Sequence, residues 1–149
     1  MIVELKNFRT RDGSSYAIVF HDEENALISD TWLGDFHDDD EFRQVLEFVA
    51  DEIEARAVKL WLADLRHLTR SFFEFQDWLA HEISPRTFAA GLQREAVVLP
   101  PPAKLDGMPQ DYDVVGSAAG AIDQIGDRRV RFFFDRDAAH RWLLSGDSQ

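Results

Sequence analysis

The strongest constraint in this sequence is the change of hydrophobic period near Asp38. Before that residue, apolar side chains occur in short runs rich in β-branched and aromatic residues, which are typical of strands. After it, the apolar side chains fall on one stripe with a period of 3.6 residues, formed by Phe42, Val45, Leu46, Val49 and Ile53. A chain that begins with strands and then alternates helices with strands is expected to form an α/β fold.

The remaining elements are predicted from the same patterns. Three antiparallel strands are expected within residues 3–33, with Asp12-Gly13 in the first hairpin turn. Helices and strands are expected to alternate over residues 38–144. The predicted helices are 38–57, 71–83, 117–125 and one beyond 135, and the predicted strands are 58–65, 96–99 and 130–134. Pro85 is expected to end the second helix, because proline disfavours the helical conformation of the residue before it. The predicted order is βββαβαβαβα, a mixed sheet with right-handed βα crossovers in one domain of residues 1–149.

The composition narrows the possible functions. Twenty-eight acidic residues against sixteen basic ones give a net charge of -12, which disfavours binding to nucleic acid or to anionic lipid surfaces. No apolar stretch approaches the roughly 20 residues of a membrane span. The absence of cysteine excludes thiolate metal sites and cysteine nucleophiles. No nucleotide-binding glycine motif occurs either, so we expect no cofactor. The lack of a membrane span and of cysteine leads us to expect a soluble, cytoplasmic protein.

Two segments resemble a known family. Residues 58–65 (VKLWLADL) precede a short loop and a helix, and residues 130–135 (VRFFFD) precede Ala138 and Trp142-Leu143. In element order, residues 15–144 resemble the STAS-like (SpoIIAA-like) family, which includes anti-sigma-factor antagonists. The resemblance implies a regulatory domain that acts by binding another protein.

The phosphorylated members of that family carry an Asp-Ser-Ser-Gly-like segment where the helix after the central strand begins. Here Phe73 stands at about the acceptor position and the following glycine is missing, so the resemblance implies no phosphorylation at that position. Thr69 and Ser71 are the nearby hydroxyls. We predict them as candidate phosphorylation sites, with helix N-capping as the alternative role.

The loop after the central strand is the predicted partner-binding surface. Phe72, Phe73 and Phe75 cannot all face the core, because adjacent helical residues are about 100° apart, and Phe73 is the expected outlier. An exposed aromatic side chain ringed by polar groups is typical of a protein contact; cover by a neighbouring loop is the alternative. The predicted surface consists of Asp64, Arg66, His67, Arg70 and Phe73. Its partner is an unidentified protein or a second copy of this chain.

Acidic side chains are concentrated in residues 35–54, which hold nine acidic residues and one arginine. At the start of a helix such residues cap free N–H groups and complement the helix dipole, so we predict capping rather than a metal site. The rest of this segment is predicted as a solvated face, and docking of a basic partner is the alternative.

Three further hypotheses have weaker support in the sequence. Gly116 and Ser117 lie at the start of a predicted helix, where free N–H groups could bind an anion. The loop 100–113 beside them suggests a second function, binding of a small amphipathic or anionic ligand. A third is an acid/base or metal-assisted hydrolase using His67, Asp64 or the acids near Asp38. Because no nucleophile or metal-ligand spacing supports the hydrolase, we predict a non-enzymatic binding or regulatory module.

Overall fold

The structure, a computed structural model, describes residues 1–101 and 113–146. Its strands are β1 (Ile2–Arg9), β2 (Ser15–Asp22), β3 (Leu27–Trp32), β4 (Leu60–Asp64), β5 (Arg94–Val98) and β6 (Val130–Phe133). Its helices are α1 (Asp39–Arg56), α2 (residues 73–89), α3 (Val114–Ile125) and α4 (Arg136–Ser145). The predicted α/β class and element order are confirmed.

The six strands form one mixed sheet in chain order, β1-β2-β3-β4-β5-β6. Strands β1 to β3 pair antiparallel, and β3 to β6 pair parallel. Each of the three crossovers places the next strand beside the preceding strand, and all three extend the sheet in the same direction. Because such crossovers are right-handed, all three crossover helices fall on one face of the sheet, and α1, α2 and α3 contribute to a single core there.

Local sequence chemistry sets the turns and the start of α1. Gly13 adopts a left-handed φ of 91° in the β1–β2 turn, as the Asp-Gly pair predicts. At the start of α1, the Asp38 carboxylate accepts the backbone N–H of Glu41 at 2.9 Å, and Asp39, Asp40 and Glu41 occupy the first turn. The capping interpretation of these acids is therefore confirmed.

Helix α2 continues past Pro85, so the prediction that this residue ends the helix is wrong. The helix begins with a 3₁₀ turn (Phe73–Phe75), becomes α-helical (Gln76–Trp78), widens into a π turn (Leu79–Ile83) and ends α-helical (Ser84–Ala89). The Ser84 N–H bonds the Leu79 carbonyl five residues back. Pro85 thus stands in the first turn of a new α-helical stretch, where its missing N–H costs little.

The sheet separates two apolar clusters. The larger lies under α1, α2 and α3 and includes a stack of aromatic rings around Phe42. The smaller covers the reverse face and consists of Leu27, Leu60, Leu62, Ala96, Val98, Ala139, Trp142 and Leu143. Helix α4 supplies the last three of these. Over the described ranges, every helix is too short or too polar to cross a membrane.

Candidate functional site

The loop between β4 and α2 carries the predicted partner-binding surface. Phe73 is 37% exposed, whereas Phe72 and Phe75 are buried, as the helical spacing predicts. His67 is also exposed. The loop therefore presents an imidazole to solvent, and the first residue of α2 presents an aromatic ring beside it.

The arginines of this surface bind other parts of the chain. Arg66 donates to both carboxylate oxygens of Asp64, at 2.9 and 2.8 Å, and Arg136 lies 3.4 Å from the same carboxylate. The Arg70 guanidinium donates to the Phe36 carbonyl at 2.9 Å and lies 4.3 Å from the centre of that ring. Their charges therefore serve mainly to hold the loop in place.

Asp35 fixes the same loop from below. Its carboxylate accepts the Thr69 N–H at 2.7 Å, the Thr69 hydroxyl at 2.8 Å and the Arg70 N–H at 3.0 Å. A phosphate on Thr69 would replace this hydroxyl donor with a dianion beside a carboxylate, which is repulsive. Ser71 is half-buried. Of the two candidate phosphorylation sites, the geometry thus disfavours Thr69.

The start of α3 carries its own carboxylate. Asp113 accepts the Gly116 N–H at 2.8 Å, and a Cβ at Gly116 would overlap that carboxylate. Ser117 is buried, donates to the Asp113 carbonyl at 2.8 Å and accepts the Phe72 N–H at 2.9 Å. The position predicted for an anion is therefore filled by Asp113. Residues 102–112 of the predicted ligand-binding loop lie outside the described residues.

The remaining acids form no metal centre within the parts of the chain described. In residues 1–101 and 113–146, no three His, Asp or Glu side chains are placed to hold a metal ion together. On α1, Asp51 and Glu54 both contact Arg86 of α2. Part of the acidic segment thus ties α1 to α2.

A cavity of about 60 Å³ lies between the sheet and helices α1, α2 and α3. Carboxyl groups from two strands line it, and we call it the buried-acid cavity after these, Asp30 and Glu95. The other lining residues are uncharged: Trp32, Phe42, Leu46, Trp61, Ala63, Leu65, Phe72, Leu79, Ile83, Ser84, Val97, Ala118, Ala121, Ile122, Ile125 and Val130. Since a cavity of about 150 Å³ binds benzene, which has six carbon atoms, this one has room for about two or three non-hydrogen atoms.

The sheet register brings the two acids to the same face. Asp30 on β3 lies opposite Ala63 on β4, and Glu95 on β5 lies opposite Trp61, two residues earlier on β4. Side chains two residues apart on a strand share a face. Asp30 and Glu95 therefore approach each other diagonally across β4, on the side covered by α1, α2 and α3.

Asp30 is held by two indoles. It is 1% exposed, and its two carboxyl oxygens accept the Trp61 Nε1–H at 2.7 Å and the Trp32 Nε1–H at 2.9 Å. Burial raises the pKa of Asp30 to about 7, and the charge of Asp64 adds to this rise, although both indole hydrogen bonds oppose it. The group can therefore gain or lose a proton near neutral pH.

The Glu95 carboxyl has no hydrogen-bond partner among the described residues. Glu95 is 8% exposed, and no described residue donates a hydrogen bond to its carboxyl. The residue lines the cavity, and its carboxyl is not fully sealed, because no described side-chain oxygen is both sealed from open space and unbonded. Burial and, secondarily, the charge of Asp30 raise its pKa to about 8. A buried polar group without a hydrogen bond is rare in native proteins and requires an explanation.

The wall formed by α2 is irregular at the cavity. Leu79 and Ile83, the two ends of the π turn, both line it, and π turns occur frequently at functional sites. Leu79 is half-buried, as are Ile122 and Ile125 of α3. These three residues mark the side of the cavity nearest to solvent, between α2 and α3.

Neither buried acid was predicted from the sequence as a site residue. Ile28, Asp30 and Trp32 occupy alternate positions of a predicted strand, and this alternation could have placed Asp30 on the core face. Glu95 fell just outside the strand predicted from residue 96, whereas β5 begins at Arg94. Extending the alternation of Val97 and Leu99 back by one step would have placed Glu95 in the core.

Comparison with known proteins identifies no family for this chain. No protein-family model matches it, and no curated protein matches it significantly. Two regions of the molecule carry features expected of a functional site, the exposed β4–α2 loop and the buried-acid cavity.

Proposed function

We propose that this chain is a non-enzymatic binding domain that holds a small molecule in the buried-acid cavity. The observation that supports the proposal is the Glu95 carboxyl, which lines the cavity without a hydrogen-bond partner. Leaving such a group unpaired costs about 1–3 kcal/mol. A ligand that pairs with it recovers that energy, and few polar groups in an apolar pocket are the usual composition of a ligand site.

The tryptophans allow a direct test. Trp32 and Trp61 donate their indole N–H groups to Asp30 at the cavity wall, whereas Trp142 packs on the reverse face of the sheet. In ¹⁵N-Trp-labelled protein, we expect a library of small fragments of all charges to contain compounds that shift the first two indole signals and leave that of Trp142 unchanged.

A variant that fills the cavity provides the control. Ala121 is buried and lines the cavity, while Ala119 is exposed on the same helix. Ala121→Leu is expected to abolish the fragment-induced shifts, and Ala119→Leu to retain them. If no fragment moves the two indole signals, or if the shifts persist in folded Ala121→Leu, the cavity is not a ligand site.

The second candidate function is that of the STAS-like resemblance, a regulatory domain that binds a protein through the β4–α2 loop. Its support is the exposed ring of Phe73 at the start of α2, directly after a loop that Asp35 and Asp64 hold. The test compares partner capture by the wild type, Phe73→Asp and Phe132→Asp, since Phe132 is similarly exposed at 44% on β6. A partner lost only from Phe73→Asp supports this function, and equal capture by all three contradicts it.

A further inference from the structure

The ionisable side chains that line the buried-acid cavity, among the described residues, are all acidic. Asp30 on β3 and Glu95 on β5 are its titratable groups, and the lining residues supplied by α1, β4, α2, α3 and β6 are uncharged. Asp64, on the opposite face of the sheet, adds a further negative influence on Asp30. No lysine, arginine or histidine of the described residues makes an ion pair with either cavity acid. Among the described residues, therefore, no side chain supplies a positive charge to this cavity.

Hydrogen bonding distinguishes the two acids. Both oxygens of Asp30 already accept an indole N–H, which orients that carboxyl and leaves the Glu95 carboxyl as the open one. An anionic occupant would face two acids across a poorly solvated space, which is unfavourable. A purely apolar occupant would leave Glu95 unpaired. A cationic donor satisfies Glu95 with the strongest type of hydrogen bond, the charge-assisted one.

The aromatic wall favours the same chemistry. Trp32, Trp61, Phe42 and Phe72 all line the cavity. Ring faces attract cations, most strongly when the site excludes water, and alkylated ammonium groups are the usual ligands of such aromatic surroundings. Apolar substituents on the nitrogen would pack against the aliphatic part of the wall. The net charge of -12 attracts cations to the protein as a whole.

Resting on the proposed function, we propose that the occupant of the buried-acid cavity is a small organic cation, an alkylammonium group of about two or three non-hydrogen atoms. Its nitrogen pairs with the Glu95 carboxylate, and its alkyl part contacts the rings and aliphatic side chains. Primary and secondary ammonium groups of this size, such as ethylammonium and dimethylammonium, can each donate at least one hydrogen bond to that carboxylate.

Binding of such a cation is coupled to the release of protons. With pKa values raised to about 7 for Asp30 and about 8 for Glu95, both carboxyls hold protons at pH 6. The cation selects the ionised form of Glu95, so a proton leaves as it binds. Affinity is then expected to rise about tenfold per pH unit for each proton released, until the pH reaches the pKa of the released group.

The test uses three probes of similar shape and different charge: ethylammonium, ethanol and acetate. Each is titrated at pH 6 and pH 8 into ¹⁵N-Trp-labelled wild type, Glu95→Gln and Glu82→Gln, and the Trp32 and Trp61 indole signals are followed. Alkylammonium groups remain protonated at both pH values, since their pKa is about 10. Glu82→Gln is the matched control, because Glu82 is exposed on α2 and does not line the cavity.

The expected result is at least tenfold tighter binding of ethylammonium than of ethanol to the wild type at pH 8, with weaker binding at pH 6. Glu95→Gln should bring the two affinities to within about twofold, and Glu82→Gln should preserve the difference. Tighter binding of ethanol or acetate at the same indoles would overturn the cation inference and leave the proposed ligand site standing. An unchanged preference in Glu95→Gln would overturn it as well. If none of the three probes shifts the indole signals while other fragments do, only the cation inference is overturned. If no compound shifts these signals, both proposals are overturned.

Discussion

Replacing Glu95 by glutamine should change how the stability of this protein depends on pH. Burial raises the native pKa of Glu95 to about 8 from an ordinary value of 4.5. Between those values the folded state binds the proton more tightly than the unfolded state. The stabilisation is therefore fully present below the unfolded pKa and is lost as the pH rises through the folded pKa. Glutamine keeps the shape of the protonated side chain and cannot ionise.

The magnitude follows from the linkage of one proton. Each pH unit in this range removes about 1.4 kcal/mol from the free energy of unfolding. From pH 5 to pH 8 the total is about 3 to 4 kcal/mol, because the native carboxyl is already half-ionised at the upper limit. The stability of Glu95→Gln relative to the wild type should therefore improve by about that amount across this range. Asp30 titrates in both proteins, so most of its contribution cancels in the comparison.

Urea denaturation followed by tryptophan fluorescence at pH 5, 6.5 and 8 measures the effect. Glu82→Gln serves as the control, since substitution of an exposed surface residue is expected to shift stability by less than about 0.5 kcal/mol. If the wild type and Glu95→Gln gave parallel curves of stability against pH, Glu95 would not be a buried acid with a raised pKa, and the reasoning would be refuted.

Four further substitutions test other contacts. Trp61→Phe removes an indole donor from Asp30 and should lower the free energy of unfolding by about 1–3 kcal/mol. The loss should be larger at pH 8 than at pH 5, because hydrogen bonds to ionised carboxylates are stronger. Equal losses at the two pH values in urea denaturation would contradict this. Asp35→Ala removes three hydrogen bonds to the β4–α2 loop and should speed amide hydrogen exchange there, whereas unchanged exchange would show that the loop is held by other contacts. Phe73→Ala should leave the thermal midpoint nearly unchanged, while Phe75→Ala, which empties a buried position, should cost about 3–5 kcal/mol; similar effects would mean that Phe73 is also buried in solution.

The element order was predictable because each element carries a clear hydrophobic period. The stripe of α1, the Asp38 cap and the Asp-Gly turn are local features, and the chain needs no distant contact to express them. Helix α2 was harder, since its continuation through Pro85 depends on a π turn whose wider hydrogen bond, from Ser84 to Leu79, leaves no mark in the apolar pattern.

The buried-acid cavity could be predicted only in part. Strand alternation places Asp30 on the core face, and an earlier start of β5 would have added Glu95. The space between them depends on how three helices meet the sheet, for example on the close approach of α2 and α3 at Gly120, where a Cβ would overlap the Gln76 amide. Such packing is a tertiary property that a single sequence does not display. The same holds for the contact of Arg70 with Phe36, which lies 34 residues away in the sequence.

The uneven covering of the sheet affects how the chain matures during synthesis. All six strands precede α4, yet Trp142 and Leu143 of that helix provide much of the apolar cover on the reverse face. Until residue 145 has left the ribosome, Leu62 and Val98 remain open to water and to chaperones. A nascent chain halted before α4 should therefore be a strong client of holdase chaperones, although all residues that line the buried-acid cavity have by then been synthesised.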